Sequence, residues 1–372
     1  MNETLRVIIA GGGTGGHLYP GIAVARELLM RRPDARISFA GTSRGIEARV
    51  VPGEGFTLDL IRSGGLKGKA TGDRARGAAL LPLGMLDAWR LVSAIRPHLV
   101  IGVGGFSSGP VVLAAALRGV PTMVLEQNAV PGLTNRLLAP FVRAAAVSFD
   151  QTQAFFGSKA FVSGNPVRPE FLASAEPHPE SGGRDDTSES STTGVLVFGG
   201  SQGAHAINVA MVEAASELAA GRPHLRLTHQ TGERDVEMVR DAYRRAGLEA
   251  EVEPFLFDMG RRIRQADLIV CRAGATTLAE ITAVGKAAIL VPLPTATDDH
   301  QRKNAEALAA TGAADVLPQT EATGAALARR ILWLAADGHA RTRIARAARA
   351  LAKPDAARII VDRALELAER SG

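Results

Sequence analysis

The chain of 372 residues contains one cysteine, Cys271. No intramolecular disulfide can form, which suits a reducing compartment. Aromatic residues make up only 4%, too few for the stacking platforms that grip single-stranded nucleic acid. No helix-turn-helix or RNA-binding signature accompanies them, so no nucleic-acid partner is expected. No uninterrupted apolar run approaches the ~18 residues of a membrane-spanning helix. The run of four in MNETLRVIIAGGG is too short for the core of a signal peptide. What remains is an ordinary soluble composition, with 46% hydrophobic and 22% charged residues. At roughly 100–200 residues per domain, the length predicts two domains. Lysine plus arginine exceed aspartate plus glutamate by 43 − 38, or +5. The excess suits an anionic partner, either a phosphate-bearing substrate or an acidic membrane surface.

Short apolar runs alternate with helical patterns. Strands are expected at Arg6–Ala10, Arg36–Ala40, Leu99–Val103, Thr122–Leu125 and Ala145–Phe149. Helices are expected between them at Pro20–Arg31, Leu80–Ile95, Pro110–Arg118 and Leu133–Ala139. Apolar strands separated by helices read as a parallel sheet covered on both faces. Around 172–193 the sequence turns to Ser, Gly, Pro and acids, the composition of a flexible segment. A second alternation follows, with strands at Val195–Phe198, Arg226–Gln230, Glu251–Pro254, Leu268–Cys271, Ala288–Val291 and Ala314–Val316. A tail helix runs over Pro354–Glu369. Gly11-Gly-Gly-Thr-Gly-Gly-His17 is echoed by Gly199-Gly-Ser-Gln-Gly-Ala-His205, a weak internal repeat. The expected fold is therefore α/β, with two doubly wound Rossmann-like domains facing a cleft. The first covers 1–166 and is joined by the helix 354–372; the second covers 167–353.

Gly11 to Gly16 satisfies G-x-G-x-x-G after a strand. A dinucleotide site also requires an acid at the end of the second strand, which here reads Ser38-Phe39-Ala40-Gly41-Thr42-Ser43. A nicotinamide cofactor is thereby disfavoured. The amides of a glycine turn at a helix N-terminus still favour an anion, although such glycines also simply permit tight turns. In Cys271-Arg-Ala-Gly-Ala-Thr-Thr-Leu-Ala-Glu280, Thr276 and Thr277 can cap a helix or donate to a phosphate. Glu280 is either a helix-dipole partner or an acceptor for ribose hydroxyls. Downstream, Gln301 and Asn304 lie in a polar loop after a strand; as amides they suit sugar hydroxyls or cap a helix. His17 and Glu126 are the titratable candidates of the first half. Arg168, in Gly164-Asn-Pro-Val-Arg168, bridges the halves or meets a phosphate.

Together GGTGGH, GGFSSGP, EQNAVPGLTN, GNPVR, GGSQGA, RAGATTLAEI and DDHQRKNA resemble, in the same order, the MurG family. That resemblance implies a GT-B glycosyltransferase with no cofactor and no nucleotide-bound metal. The implied reaction is inverting transfer of N-acetylglucosamine from UDP-N-acetylglucosamine to the C4 hydroxyl of the muramyl sugar of lipid I, giving lipid II for peptidoglycan. By motif match, Thr14, Gly15 and Gly16 border the donor sugar and acceptor, and Asn128 faces the donor sugar. Arg168 and Ser201 fall in the phosphate region, and the Leu256 backbone meets the uracil. Ala275, Thr276, Thr277, Leu278, Ala279 and Glu280 wrap the nucleotide, with Glu280 on the ribose, while Gln301 reaches the sugar hydroxyls. Leu125 and Phe106 depart from the histidine and tyrosine of the family pattern.

The attacking hydroxyl needs a base. His17, an imidazole of ordinary pKa ~6.5, is favoured; Glu126 is its rival, or orients it. The acceptor lipid also implies a peripheral protein on the cytoplasmic face of the bacterial inner membrane, with room for a cell-wall synthesis complex. Lys67, Lys69, Arg74 and Arg76 precede the apolar, Trp-bearing stretch Leu80–Trp89 of the expected helix, a pattern suited to an anionic membrane surface. Leu81, Met85, Trp89 and Val92 share one face, as core helices also do. Alternatives are a UDP-sugar epimerase of the same fold, another lipid glycosyltransferase, or a UDP-sugar-binding membrane adaptor without catalysis.

Overall fold

The computed structural model describes residues 4–64, 71–172, 192–200 and 203–370, with backbone alone over 71–80. Seven strands run through the first part: β1 (Arg6–Gly11), β2 (Arg36–Gly41), β3 (Thr57–Leu60), β4 (Leu99–Gly104), β5 (Thr122–Glu126), β6 (Ala144–Val147) and β7 (Ala160–Val162). They pair in parallel in the order β3-β2-β1-β4-β5-β6-β7. Six more follow: β8 (Thr193–Phe198), β9 (Leu225–Gln230), β10 (Glu249–Glu253), β11 (Leu268–Cys271), β12 (Ala287–Leu290) and β13 (Asp315–Val316). Their order is β10-β9-β8-β11-β12-β13, again parallel.

The central strands are apolar at almost every position because helices cover both faces. All six residues of β4 and all five of β5 are buried. Two compact units result: Met1–Arg168 with Lys353–Gly372, and Pro169–Ala352. The last helix, Ala356–Glu369, belongs to the first unit. It buries Ile360, Val361, Ala364 and Leu367 in the core that also holds Leu18, Ile22, Ala25 and Leu28 of the helix Gly15–Arg31. Each large apolar side chain buried this way contributes about 1.5–3 kcal/mol. Arg31 adds an ion pair to Asp362.

In each sheet the winding reverses between the first and fourth strands, β1/β4 and β8/β11. That switch point leaves a crevice at the carboxyl ends of the strands. The sequence reading omitted β3, β7 and the helices Glu47–Gly53, Met259–Gln265, Gly324–Ala336 and Gly338–Ala350. The two strands are short edges with partly exposed patterns, so neither shows the apolar run that marks a central strand. The first helix begins at Gly15, ahead of the expected Pro20, because glycines read as loop continue into its first turn. The expected flexible segment falls mostly on 173–191, outside the described residues.

Candidate active site

The first glycine loop follows β1 and lies against the loop after β4. Gly12 donates to the Gly104 carbonyl at 3.3 Å. Gly105 has φ +83°, and a Cβ there would stand 2.4 Å from the Gly12 oxygen. The backbones touch, and only glycine fits. Beneath this contact sits Glu47, 1% exposed, at the start of the helix Glu47–Gly53. Its carboxylate accepts from the Gly13 amide at 2.8 Å, the Thr42 amide at 3.0 Å and the Thr42 hydroxyl at 2.9 Å. Burial raises its pKa, but these hydrogen bonds outweigh burial, and the net shift is downward. Sequence reasoning missed Glu47. The signal was present as the first acid after the second strand, in Gly45-Ile46-Glu47.

Thr14 precedes the helix Gly15–Arg31 as its N-cap residue, and its hydroxyl lies 3.1 Å from His17 Nδ1. The imidazole covers Gly104, where a Cβ would stand 2.6 Å from its Cδ2 and 3.0 Å from its Nε2. A side chain at 104 would displace the ring. Gly15 lies against Tyr19, and the Arg168 guanidinium stands 5.0 Å from the Tyr19 ring centre, a cation–π contact. The structure thus brings Thr14, Gly15, Gly16, His17 and Arg168 to one end of the first unit.

Glu126 ends β5 and is buried. Its two oxygens accept from the Asn128 amide at 3.0 Å, the Asn128 side chain at 3.3 Å, the Gly132 amide and the Asn135 side chain, each of these last two at 2.9 Å. Burial pushes its pKa up, against the pull of these donors. Geometrically it anchors the loop 126–135 and sets Asn128. Leu125 is buried, and Phe106 is half exposed.

In the second unit the glycine loop follows β8. Gly203 has φ +72° and is packed against the Thr231 carbonyl, leaving no space for a Cβ. Gln230, buried at the end of β9, donates to the Gly200 carbonyl at 2.8 Å and accepts from the Leu256 amide at 3.0 Å. One side-chain amide therefore ties the glycine loop to the segment expected at the uracil. Ser201 lies outside the described residues. Below the loop, His229 meets Tyr243 Oη at 2.8 Å and Asn208 Oδ1 at 3.1 Å. Asn208 donates to the Thr231 carbonyl and to Asp235, and Asp235 also pairs with His205. Full burial pushes the His229 pKa down to about 3, so its ring is neutral. Asn208 offers an oxygen, so Nε2 carries the proton and Nδ1 accepts from tyrosine.

The helix Ala275–Val284 starts after Gly274, with Thr276 and Thr277 half buried in its first turn. Leu278 faces inward and Ala279 is half buried. Glu280 is buried and is the sixth residue of the helix, beyond a first turn that holds no acid, so the helix-dipole role, which belongs to first-turn acids, does not describe it. Gln301 Oε1 accepts from the Leu293 amide at 3.0 Å. Its carbonyl is thereby occupied, and its NH2 is the group it can present. Asn304 is fully buried and donates to the Ala273 carbonyl at 3.2 Å. Asp298 and Asp299 hold φ of 55° and 56°, left-handed values that cost a non-glycine residue energy. Among the described residues no cluster of three or more His, Cys, Asp or Glu side chains is placed to hold a metal ion.

Two Rossmann-like parallel sheets, each with a glycine loop at its switch point, and a helix of the second unit that opens on Gly274 and carries the buried Glu280 define the GT-B class of glycosyltransferases. The glycosyltransferase family 28 N-terminal domain matches residues 7–147, and its C-terminal domain matches 194–360. The chain belongs to the MurG family. It is 48% identical to the UDP-N-acetylglucosamine--N-acetylmuramyl-(pentapeptide) pyrophosphoryl-undecaprenol N-acetylglucosamine transferase of Pelobacter propionicus, over 97% of this chain and 99% of that one. The protein of the same name in Trichlorobacter lovleyi is 44% identical, over 97% and 98%. The crystal structure of MurG from Acinetobacter baumannii is 32% identical with a TM-score of 0.79, covering 97% of this chain and 99% of that one. A UDP-GlcNAc 2-epimerase from Neisseria meningitidis, bound to UDP-GlcNAc, has a TM-score of 0.69 at 13% identity, covering 98% and 100%; it shares the fold.

Proposed function

We propose that this chain transfers N-acetylglucosamine from UDP-N-acetylglucosamine to the C4 hydroxyl of the muramyl sugar of lipid I, with inversion, forming lipid II. One observation carries the reading. Every one of the seven motifs follows the carboxyl end of a parallel strand, after β1, β4, β5, β7, β8, β11 and β12, the last of them across the intervening 291–297, on the side where doubly wound sheets bind ligands. The first unit takes the acceptor and the second takes the donor. The second assignment rests on the loop Gly199–Ala204, the half-buried Thr276 and Thr277, and Glu280, the last accepting from the ribose.

In the reaction the C4 oxygen bonds to the anomeric carbon as its bond to the diphosphate oxygen breaks. UDP departs with the electron pair, and the hydroxyl proton passes to a base. His17 is that base. With Nδ1–H directed at the Thr14 hydroxyl, Nε2 is the nitrogen that takes the proton. Glu126 acts through Asn128 as a positioning residue. Gln301 donates to sugar hydroxyls. Arg168 and the loop at Ser201 receive the negative charge that develops on the diphosphate. The test is UDP release from UDP-N-acetylglucosamine with and without a lipid I analogue. Release that ignores the acceptor, or a new sugar formed without it, sinks the reading in favour of hydrolysis or epimerisation.

Membrane docking is part of the same proposal. No helix among the described residues is long and apolar enough to cross a membrane. The helix Thr71–Ile95 buries Ala88 and Val92 but leaves Leu81 44% and Trp89 41% exposed. The supposed common face is therefore split, with Leu81, Leu83, Leu86 and Trp89 facing outward. Arg118 stacks on Trp89 at 5.0 Å. An apolar, tryptophan-bearing surface beside a cation suits an anionic interface. Lys67 and Lys69 lie outside the described residues, as do the side chains of Arg74 and Arg76. Flotation with anionic liposomes tests the idea: Leu81→Ser with Trp89→Ser lowers the bound fraction, and unchanged binding counts against this surface.

A further inference from the structure

We propose that Glu47 is a positioning residue for the transfer, serving as the built-in anion of the first glycine loop. Its carboxylate is buried, and a buried charge persists only where donors replace lost water. Here three do: the Gly13 amide, the Thr42 amide and the Thr42 hydroxyl. The surrounding backbone is cut to fit it. A Cβ at Gly12, Gly41 or Gly45 would stand 2.6 Å, 2.6 Å or 2.0 Å from an atom of the Glu47 side chain. Three glycines thus make room for one acid. The two loops it joins leave adjacent strands, β1 and β2, so the carboxylate fixes the exit of β1 against its neighbour. Gly13 is followed directly by Thr14, which meets His17 Nδ1. The chain of contacts runs from Glu47 through Gly13 and Thr14 to the imidazole.

A second consequence concerns charge. The amide of Gly13 is already donated, and the group that takes it is ionised. The first loop therefore lacks that open amide for a substrate phosphate, and an anion brought to it meets a carboxylate behind it. Its role is to hold Thr14 and His17 rigid. This inference rests on the proposed transfer reaction for its kinetic consequence, but its structural core is independent of turnover.

Glu47→Gln in the full chain tests it. The carboxamide keeps the volume but turns an NH2 toward a donor. With UDP-N-acetylglucosamine and a lipid I analogue, kcat per folded molecule falls by roughly tenfold or more, as misplacing a catalytic group does. The Kd for UDP, which belongs to the second unit, stays within about twofold. Amide hydrogen exchange over 11–17 accelerates by about tenfold, whether or not the assay turns over. If Glu47→Gln fails to fold, Thr42→Val, which removes one donor and leaves the acid, takes its place, with a loss in kcat and faster exchange over the same residues. Unchanged exchange with unchanged kcat in the folded variant overturns the proposal. Wild-type protein that releases no UDP overturns the reaction instead, and the exchange measurement still decides the role of Glu47.

Discussion

The two glycine loops look alike in sequence and are fastened in opposite ways. The loop after β1 is held through an amide, Gly13, by the ionised carboxylate of Glu47. The loop after β8 is held through a carbonyl, Gly200, by the neutral amide of Gln230. An acid occupies a donor and leaves negative charge behind; a carboxamide occupies an acceptor and adds none. A loop built to hold a proton-accepting side chain in place tolerates the first arrangement. A loop meant to receive a diphosphate requires the second. The motifs are similar in sequence while their fastenings differ, which fits the division of labour proposed above.

The largest effect is expected where the first loop presents its chemistry. His17→Ala lowers kcat about 10²-fold or more, with UDP binding retained by calorimetry. Near-normal turnover removes His17 from the role and with it the chemical half of the comparison. The interlock of backbones is probed next. Gly105→Ala combines φ +83° with a contact at 2.4 Å and is expected to cost about 1–3 kcal/mol by denaturant melts. Gly119→Ala, at φ +76° with open space, pays for conformation alone and serves as the milder control. On the other side, Gln230→Leu strands the Gly200 carbonyl and the Leu256 amide. A loss of about 1–3 kcal/mol appears as a KM for UDP-N-acetylglucosamine raised roughly tenfold, with kcat less affected; a fall in kcat alone refutes the link to donor binding.

The smallest effect, counted per pH unit, separates the units by acid sensitivity. His229 has a folded pKa of about 3 against an ordinary 6.5. The unfolded chain binds its proton first, so this contribution is whole above pH 6.5 and erodes as pH falls toward 3, by at most ~1.4 kcal/mol per unit. Glu47 is also depressed, from an ordinary 4.5, so its contribution erodes only below that value. Calorimetry between pH 7 and 4 is expected to show the second unit softening before the first, and His229→Gln to flatten that slope. Equal softening of both units contradicts the assignment.

The fold was largely legible because central parallel strands declare themselves as apolar runs. Six of the seven motifs follow strands read from such runs, and GNPVR follows the edge strand β7. The omissions share a cause. β3 and β7 lie at an edge, where half-exposed residues carry no periodic signal. Glu47 was passed over although it is the first acid after the second strand, because its partners are the Gly13 and Thr42 amides and the Thr42 hydroxyl, and no spacing rule encodes an acid that folds back on a loop from the next helix. Gln230 was hidden in the same way: it was read as the end of a strand, while its function lies in two backbone groups distant in sequence. Helical periodicity placed Leu81 and Trp89 with Val92 on one face, but Gly84 lies so close to the Arg62 carbonyl that the helix rests on its glycine side and turns both residues outward.

The return of the final helix to the first unit has a consequence for biosynthesis. As the chain leaves the ribosome, the groove on the helix Gly15–Arg31 has no cover until Ile360 to Leu367 emerge, after the whole of the second unit. The half of the molecule made first is finished last. A nascent or prematurely ended chain presents a sticky furrow to chaperones, and deleting the last turns should cripple the opposite end of the polypeptide.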